Sequence, residues 1–418
     1  MKPYPKYKPS DIQWLGDIPE HWEVKKLKYI VNGKLEYGAN ESAELEDRSL
    51  PRYIRITDFG NDGKLKEDTF KSLSEEVALG YLLQEGDILF ARSGATVGKT
   101  FQFKNYQGVA CYAGYLIKAS PNSNLALSDF VYYFTKSDIY ENWKNSIFVQ
   151  ATIQNIGADK YNQLELPIPP LPEQTAIAQF LDQKTAQIEI LIAQKQRLIT
   201  LLKEERMAFI NEILSDESFP LKKLKYVVEG KLEYGANESA ELDDRSLPRY
   251  IRITDFGNNG KLKDETFKSL PFEKANEYLL KDGDVLFARS GATVGKTFQF
   301  KNYEGIACFA GYLIKAMPNP KVILSDYLYY FTKSGIYENW KDSIFVQATI
   351  QNIGADKYNQ LEIPVPSLKT QQKIVESIET TTSKIDATLA KIVQEIELLK
   401  EYRIALISEV VTGKISVV

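Results

Sequence analysis

The stretch from Pro172 to Leu214 constrains the fold most strongly, because it contains no glycine and no further proline. It is rich in Gln, Lys, Glu, Ala, Leu and Ile, and proline is favoured at a first helical position. A continuous helix is predicted, on the order of 60 Å long at the rise of an α-helix. Its seam advances by alternating steps of four and three residues, which is the heptad pattern of a coiled coil. The seam consists of Ile188, Ile192, Lys195, Ile199, Leu202, Arg206, Phe209 and Ile213.

A second long helix is predicted over residues 369–418, at the end of the chain. Its seam matches the first seam position for position, and Arg403 stands where the first helix has Arg206. The second seam consists of Ile385, Leu389, Ile392, Ile396, Leu399, Arg403, Leu406 and Val410. The two helices can bury these seams most simply by packing antiparallel against each other. We therefore expect an elongated, pseudo-twofold molecule with a globular module at each end.

Each predicted helix follows one copy of a duplicated module, and the copies lie 197 residues apart. Unbroken identities cover Gly33 to Leu45, Asp47 to Asn61, Phe90 to Tyr106 and Ser146 to Glu165, each of which recurs in the second copy. The helices keep the apolar register but match at a minority of positions. This contrast is expected if the two modules share one ligand while each helix fits a different neighbour.

Composition excludes several classes of protein. The 418 residues are enough for two or three domains. No apolar run approaches the roughly 18 residues of a membrane span, and the N-terminus lacks the apolar core of a signal peptide. Cys111 and Cys308 occupy the same place in the two copies, which favours a shared core position over a disulfide. Two cysteines without a disulfide also predict a cytoplasmic chain. His21 is the single histidine, so histidine-based acid–base chemistry and histidine-rich metal sites are nearly excluded.

Within each module, short β-rich runs separated by Gly, Asn and Asp turns predict an α+β fold with a curved antiparallel sheet. In the first module, strands are predicted over 53–59, 81–91, 99–103 and 108–119, and a helical stretch over 127–145. The predicted organisation is an N-terminal arm (1–24), a first module (25–171), a central helix (172–214), a second module (215–368) and a C-terminal helix (369–418).

The formal net charge is −4, but its distribution points toward nucleic acid. The segment from Ile88 to Ser128 contains arginine and lysine residues and no acidic residue, and its counterpart from Val285 to Ser325 contains only Glu304. Acidic residues concentrate elsewhere. Each module therefore carries a local basic region on an otherwise acidic chain.

The first basic region contains the run Gly94-Ala-Thr-Val-Gly98-Lys99-Thr100. A phosphate-cradling P-loop needs four residues between its glycines and a helix after them, whereas this run has three and is followed by a β-like segment. An NTPase is therefore disfavoured. We predict a β-turn that presents its polar residues to a phosphate or a base edge, and the alternative is a solvated hairpin.

Two further polar segments are candidates for base recognition. The segment around Tyr37 offers side chains that can pair with bases or stack on them, and its alternative is an ordinary turn. The segment 148–163 carries amide side chains at alternate positions, and its alternative is a plain polar surface. Arg55 faces DNA or else forms a salt bridge with Asp58. The predicted DNA-binding residues of the first module are Lys34, Tyr37, Asn40, Arg55, Arg92, Ser93, Thr96, Lys99, Thr100, Gln150, Thr152, Gln154 and Asn155. Those of the second module are Lys231, Tyr234, Asn237, Arg252, Arg289, Ser290, Thr293, Lys296, Thr297, Gln347, Thr349, Gln351 and Asn352.

Four segments carry a resemblance to a known family: the opening from Trp14 to Tyr29, the run YIRITDF, the run GDILFARSGATVGK, and the start of the first helix from Pro167 to Leu181. Their order and spacing resemble those of the specificity subunit of type I restriction–modification systems over essentially the whole chain. The second helix departs from the pattern, because it starts with PVPSLKTQQ in place of the PLPEQ form. The resemblance implies that each module is a target recognition domain, while the helices set the spacing and dock partners.

The resemblance also implies partners. These are double-stranded DNA, two adenine-N6 methyltransferase subunits that use S-adenosylmethionine, and ATP- and Mg-dependent restriction subunits. This chain would then be non-catalytic, with no cofactor or metal of its own. Since the modules are nearly identical, we expect them to read the same half-site of a gapped palindrome. The alternatives are a stand-alone DNA-binding regulator with two identical readers, a purely structural coiled-coil scaffold, and the disfavoured NTPase.

Overall fold

The computed structural model describes residues 2–60, 63–94, 96–148, 155–257, 260–291, 293–345 and 352–417. The chain forms two compact units. The first unit comprises Met1–Gln194 and Glu395–Val418, and the second comprises Lys195–Gln394. Both divisions fall inside long helices, so each unit contains one module and a segment of each helix.

The first module alternates short strands with short helices, as the spacing of its turn residues predicts. Its elements in chain order are β1 (Tyr7–Pro9), β2 (Asp17–Pro19), β3 (Glu23–Lys26), β4 (Glu36–Tyr37), β5 (Arg52–Ile54), α1 (Glu75–Ala78), β6 (Ile88–Ala91), β7 (Thr100–Gln102), β8 (Ala110–Tyr112), β9 (Leu116–Ala119), α2 (Ser128–Phe134), α3 (Asp138–Phe148), α4 (Ala158–Tyr161) and β10 (Glu165–Ile168). The central helix α5 (Leu171–Leu214) follows directly.

A four-stranded antiparallel sheet with the order β4-β9-β6-β7 forms the centre of this module. Strand β3 pairs with β10 antiparallel, and β1 pairs with β2 in the N-terminal segment. Strand β5 pairs with β8 in parallel. The antiparallel prediction is thus correct for the central sheet and wrong for this pair.

Two predicted elements divide where the local backbone turns. The run 53–59 was expected to be one strand, but β5 ends at Ile54 and a 3₁₀ turn covers Ile56–Asp58. The helical stretch 127–145 forms α2 and α3, which are separated by Thr135, Lys136 and Ser137. The Ser137 hydroxyl accepts a hydrogen bond from the Tyr140 backbone N–H at 3.2 Å. This N-terminal cap starts a second helix rather than continuing the first.

The second module repeats this order. Its elements are β11 (Leu221–Lys223), β12 (Glu233–Tyr234), β13 (Arg249–Ile251), α6 (Phe272–Ala275), β14 (Val285–Ala288), β15 (Thr297–Gln299), β16 (Ala307–Phe309), β17 (Leu313–Ala316), α7 (Ser325–Phe331), α8 (Gly335–Phe345), α9 (Ala355–Tyr358) and β18 (Glu362–Pro364). The second long helix, α10, spans Leu368–Val411 and ends before the predicted limit of 418. The sheet order β12-β17-β14-β15, the parallel pair β13-β16 and the pair β11-β18 match those of the first module.

The long helices bury the predicted seams. Each of the sixteen seam side chains is buried or half-buried, and Ile188, Ile392 and Val410 are among the most buried. In the first unit Arg403 of α10 pairs with Glu189 of α5. In the second unit Arg206 of α5 pairs with Asp386 of α10 at 3.1 Å. Of the two α5 residues, Arg206 comes later in the chain, and it pairs with Asp386, the earlier of the two α10 residues. The two helices therefore pair antiparallel.

The last turn of each long helix also caps a short helix of a module. In the first unit the backbone N–H of Asp138, at the start of α3, donates to Ser408 Oγ at 2.9 Å. In the second unit the backbone N–H of Gly335, at the start of α8, donates to Asn211 Oδ1 at 2.6 Å. An N-terminal cap of this kind satisfies one of the backbone donors that a helix leaves open.

Among the residues described, no helix is long and apolar enough to cross a membrane.

The central sheet of the second module is packed on both faces: Phe287 and Ile314 share a cluster with Phe331 of α7, and Leu286 and Ala288 share another with the parallel pair β13 and β16. Cys111 and Cys308 are both buried at the equivalent strand position and form no disulfide. Burial raises the pKa of each thiol to about 12. The prediction that these two cysteines share a core position is confirmed.

Candidate nucleic-acid interface

The glycine-containing run of the basic region is the turn of a β-hairpin between β6 and β7. Gly94 and Gly98 have φ values of +80° and +81°, a backbone conformation that favours glycine. The backbone N–H of Gly98 donates to the Ala91 carbonyl at 2.8 Å, which closes the hairpin. Because a strand rather than a helix follows the turn, the run does not have the architecture of a P-loop.

Arg92 follows β6 directly and lies against an aromatic ring from a distant part of the sequence. Its guanidinium carbon is 4.9 Å from the centre of the Tyr37 ring, within the range of a cation–π contact. The Tyr37 hydroxyl accepts a hydrogen bond from the backbone N–H of Ala158 at 3.0 Å. Three segments that are far apart in the sequence therefore meet around Arg92.

The same hairpin also anchors the beginning of the third predicted segment. Ser93 and Asn155 form an isolated antiparallel β-bridge, and the backbone N–H of Ile156 donates to the Arg92 carbonyl at 2.8 Å. Ser93 is half-buried and Asn155 is exposed. We call the group of Tyr37, Arg92, Ser93 and Asn155 the reader cluster. It places an arginine, two short polar side chains and an aromatic ring on one surface.

The second module reproduces the reader cluster with the same residue types. Arg289 lies 4.9 Å from the centre of the Tyr234 ring, and the Tyr234 hydroxyl accepts from the Ala355 backbone N–H at 2.9 Å. Ser290 and Asn352 form the same β-bridge. The two modules thus present equivalent surfaces in equivalent geometry.

Tight packing of the backbone positions Tyr37 and Tyr234. A Cβ atom at Gly38 would lie 2.2 Å from the Tyr112 carbonyl oxygen, and one at Gly235 would lie 2.2 Å from the Phe309 carbonyl oxygen. Only glycine allows this approach, because the obstacle is backbone rather than a movable side chain. The glycine after each tyrosine therefore lets the two segments of the cluster meet.

Three other predicted residues of each module have exposed side chains: Lys34, Asn40 and Thr96 in the first, and Lys231, Asn237 and Thr293 in the second. They remain candidates for contacts with DNA. Six predicted residues lie outside the part of the chain that the structure describes: Gln150, Thr152, Gln154, Gln347, Thr349 and Gln351.

The structure places Arg55 in a role within the fold. Its guanidinium donates to both carboxylate oxygens of Asp58, at 3.2 and 3.0 Å, and to the Thr69 carbonyl. Arg252 makes the same contacts with Asp255 and Thr266. The salt-bridge alternative therefore describes both arginines, and we remove them from the candidate interface.

Thr100 and Thr297 are also occupied within the fold. The Thr100 side chain is 3% exposed, and its hydroxyl lies 2.7 Å from that of Thr135. Thr297 pairs with Thr332 at the same distance. A buried hydroxyl with a partner is not available to DNA, so both threonines are supports of the hairpin. The lysines that precede these threonines are more exposed than they are: Lys99 is half-buried and Lys296 is exposed.

Sequence reasoning missed one exposed aromatic residue beside the reader cluster. Tyr115 is 62% exposed in the turn between β8 and β9, and its carbonyl accepts from the Arg92 backbone N–H at 3.0 Å. Tyr312 is 63% exposed and bonds to the Arg289 backbone in the same way. The signal that could have revealed them is β-strand alternation, since the next residues, Leu116 and Leu313, are fully buried.

Comparison with known proteins identifies the family of the chain. Residues 19–200 and 227–398 each match the family model described as the type I restriction modification DNA specificity domain. The chain therefore belongs to this family and contains two copies of its domain. It is a DNA-recognition subunit of a type I restriction–modification system.

Two curated relatives match over most of their length. The chain is 24% identical over 393 residues to the specificity subunit of the type I restriction enzyme StySPI from Salmonella potsdam, covering 87% of this chain and 82% of the relative. It is 21% identical over 426 residues to the MjaVIII specificity subunit from Methanocaldococcus jannaschii, covering 96% and 94%.

Solved structures confirm the fold. A chain from a structural study of complex assembly and conformational transition of the type I system superposes with a TM-score of 0.71 at 16% identity, covering 95% of this chain and 99% of the other. The HsdS subunit from Thermoanaerobacter tengcongensis superposes with a TM-score of 0.53 at 16% identity, covering 95% and 98%.

Proposed function

We propose that the two modules of this specificity subunit read the same base sequence, so that the target is a gapped palindrome. Each module would read one half-site, and the two half-sites would lie on opposite strands. In each half one adenine would be methylated at N6.

The equivalence of the two reader clusters supports this proposal most directly. Arginine, tyrosine, serine and asparagine recur at equivalent positions, and the arginine–tyrosine distance is 4.9 Å in both modules. Arginine can donate two hydrogen bonds to guanine, and asparagine can pair with adenine, so these residue types suit base recognition. Two surfaces that offer the same donors and acceptors in the same geometry select the same bases.

Substitutions between the modules fall at other places. Tyr112 is replaced by Phe309, Asp138 by Gly335 and Gln107 by Glu304. Tyr112 and Phe309 are buried in the cores, and Asp138 and Gly335 are the capped starts of α3 and α8.

We further propose that the chemistry lies in partner subunits. Two adenine-N6 methyltransferase subunits that use S-adenosylmethionine would dock on this chain, and ATP- and Mg-dependent restriction subunits would join them. The apolar side chains that α5 and α10 leave exposed, including Ile190, Leu191, Val393 and Leu398, support such docking.

The test is a single-molecule methylation map of DNA from cells that express this chain together with its methyltransferase partner. Cells that express the partner alone are the control. We expect a gapped palindrome with N6-methyladenine in both halves, present only when this chain is expressed.

Two other outcomes would revise the proposal in different ways. An asymmetric bipartite motif would refute the identical reading of the two modules while keeping the role in recognition. If an active methyltransferase gave no methylation dependent on this chain, the chain would act as a stand-alone DNA-binding regulator instead.

A further inference from the structure

Ser408 joins the last turn of α10 to the first module. Its side chain is buried. The hydroxyl donates to the Ile404 carbonyl at 2.9 Å and accepts from the backbone N–H of Asp138 at 2.9 Å. Asp138 is the first residue of α3, so the position of α3 depends on the end of α10.

Helix α3 in turn holds the hairpin that carries Arg92. Tyr140, in the first turn of α3, is fully buried and donates from its hydroxyl to the Gly98 carbonyl at 2.9 Å. Burial raises the pKa of Tyr140 well above its ordinary value, so the hydroxyl stays protonated and remains a donor. A Cβ at Gly98 would lie 2.2 Å from Cδ of Lys144, so the stem of this lysine also packs on the turn. Two side chains of α3 therefore fix the turn of the hairpin.

The same helix supports the ring that stacks on Arg92. The ring centres of Trp143 in α3 and Tyr161 in α4 are 5.6 Å apart. Helix α4 begins with Ala158, whose backbone N–H donates to the Tyr37 hydroxyl. Both partners of the arginine–tyrosine contact are thus held from α3, one through the hairpin and the other through α4.

The junction of α2 and α3 adds a contact to the second strand of the hairpin. Lys136 Nζ donates to the carbonyl and the hydroxyl of Thr100, at 2.8 and 2.9 Å. Thr100 is the first residue of β7. This junction therefore fixes the start of β7, while α3 fixes the turn before it.

The second module contains the same linkage, but α5 supplies it. Asn211 Oδ1 accepts from the backbone N–H of Gly335, the first residue of α8. Two residues further on, the Tyr337 hydroxyl donates to the Gly295 carbonyl at 2.8 Å. Each hairpin is therefore connected to the end of a different long helix.

The capping residue and the first residue of the capped helix are matched in size. A Cβ at Gly335 would lie 2.8 Å from Nδ2 of Asn211, so the long asparagine requires glycine there. The shorter Ser408 leaves room for the side chain of Asp138. Both residues of the contact differ between the modules, yet the hydrogen bond is kept.

We propose that the end of each long helix positions the base-reading hairpin of one module. Ser408 and Tyr140 are the positioning residues in the first module, and Asn211 and Tyr337 are those in the second. The inference rests on the proposed function, because that function assigns base reading to the reader clusters. It follows that α10 positions the reader of the first module and α5 that of the second.

The experiment measures the affinity of the full-length chain, in complex with its methyltransferase partner, for two duplexes. One contains the target found by the methylation map and the other is random, so the ratio of the two affinities reports base reading. The test variants are S408A and N211A. The control is S383A, because Ser383 is exposed and donates to the Glu379 carbonyl of its own helix.

We expect S408A and N211A each to lower the affinity ratio by about 2- to 10-fold, the range that one hydrogen bond contributes. The random duplex should bind as tightly as before, because phosphate contacts carry no base information. S383A should keep the wild-type ratio. A wild-type ratio in S408A and N211A, or an equal loss on both duplexes, would overturn the proposal.

Exchange of the caps separates positioning from a general loss of stability. S408N places an asparagine against the side chain of Asp138 and should lower the ratio as S408A does. S408N/D138G transfers the cap of the second module to the first and should restore the wild-type ratio. A double variant that stayed as low as S408N would contradict the proposal.

The tyrosine hydroxyl has a matched control within the second module. Y337F removes the bond to Gly295 and should lower the ratio by about 2- to 10-fold. Y327F also removes a buried hydroxyl, which donates to the Pro364 carbonyl at 2.7 Å, and the first module has Phe130 at that place. Y327F should keep the ratio, and equal effects of the two variants would refute a special role for Tyr337.

A double-mutant cycle shows which module each helix end controls. S408A and R92K act on the same hairpin, so their combined effect on the ratio should be smaller than the product of the single effects. S408A and R289K act on different modules, so their effects should multiply to within about twofold. Independent effects in both pairs would overturn the proposal.

The two proposals fail in distinguishable ways. If the wild-type complex bound both duplexes equally, or if R92K/R289K kept the wild-type ratio, the assignment of base reading to the reader clusters would be wrong. If R92K/R289K lowered the ratio while S408A and N211A did not, only the positioning by the helix ends would be wrong.

Discussion

The guanidinium carbon of Arg92 lies 4.9 Å from the centre of the Tyr37 ring. The ring is held in turn by the backbone N–H of Ala158, so the direction of the arginine depends on three segments of the module. A planar guanidinium that stacks on a ring can still donate in its own plane, which is the geometry needed to bind O6 and N7 of guanine.

Replacement of this arginine by lysine keeps the charge and removes the planar pair of donors. We expect R92K/R289K to weaken binding to the target duplex by about 1–3 kcal/mol for each guanine that the arginine no longer reads. Binding to random DNA should change little. The measurement is fluorescence anisotropy with both duplexes.

The matched control for this prediction is R48K/R245K. Arg48 and Arg245 also stack on rings, at 4.8 Å from the centres of Phe70 and Phe267, but they lie outside the reader cluster. They should leave both affinities near the wild-type values. An equal loss on target and random DNA in R92K/R289K would make Arg92 a phosphate contact rather than a reader.

Tyr115 and Tyr312 are predicted to contact DNA bases through their exposed rings. Removal of an aromatic ring that stacks on a base costs about 1–3 kcal/mol, so Y115A/Y312A should weaken DNA binding by about that amount for each stacked base. Y115F/Y312F keeps the ring and should bind nearly as well as the wild type.

Tyr29 and Tyr226 provide the control for this substitution. They are 62% and 65% exposed, which matches Tyr115 and Tyr312, but lie in 3₁₀ turns after β3 and β11. Y29A/Y226A should therefore leave DNA affinity unchanged. If it reduced affinity as much as Y115A/Y312A, exposed aromatic area in general would explain the effect.

Gly38→Ala is expected to destabilise the first module by about 1–3 kcal/mol, as overpacking does. The new Cβ would lie 2.2 Å from the Tyr112 carbonyl oxygen and 2.5 Å from that of Ala113. Gly80→Ala is the control, because a Cβ added there would have no atom within 4 Å. The second module has Glu277 at the equivalent position. Chemical denaturation should show a loss of stability for Gly38→Ala alone, and equal stability of both variants would contradict the account.

The pH dependence of stability tests the environment of Lys136 and Lys333. Their pKa is about 7 in the folded chain and about 10.4 in an unfolded one. Between these values the unfolded state binds more protons, so the wild type gains stability as the pH rises from about 7 to about 10. The K136M/K333M variant lacks this gain.

The stability of K136M/K333M relative to the wild type should therefore be highest near about pH 6 and should decline toward about pH 10. Urea denaturation at three pH values, about 6, 8 and 9.5, provides the comparison. A difference that did not vary with pH would show that these lysines keep an ordinary pKa in the folded chain.

Much of the architecture was predictable from local patterns. The heptad seams placed the long helices, since their period is a property of the helix itself. The duplication at 197 residues defined two modules of the same fold. The glycine spacing and the β-like run after Lys99 indicated a hairpin rather than a P-loop. These signals lie within short windows of the sequence, so they do not depend on distant contacts.

The interface itself was predictable only in part. The residue types around Arg92 indicated polar recognition, but Arg55 and Thr100 look equally suitable in the sequence. Arg55 and Thr100 are excluded from the candidate interface because, in the folded module, Arg55 pairs with Asp58 and the Thr100 hydroxyl bonds to that of Thr135. Whether a polar side chain is available to a ligand is decided by its neighbours in space.

The sequence alone therefore determined the two long helices, the repeated modules and the family. Only the tertiary structure decided that Tyr37, Arg92 and Asn155 lie together and that Tyr115 lies beside them. It also decided that burial disfavours the charged form of Lys136. The physical reason is that helical and turn preferences act between residues near in the chain. Burial, hydrogen-bond occupancy and charge repulsion arise between segments that meet only after folding.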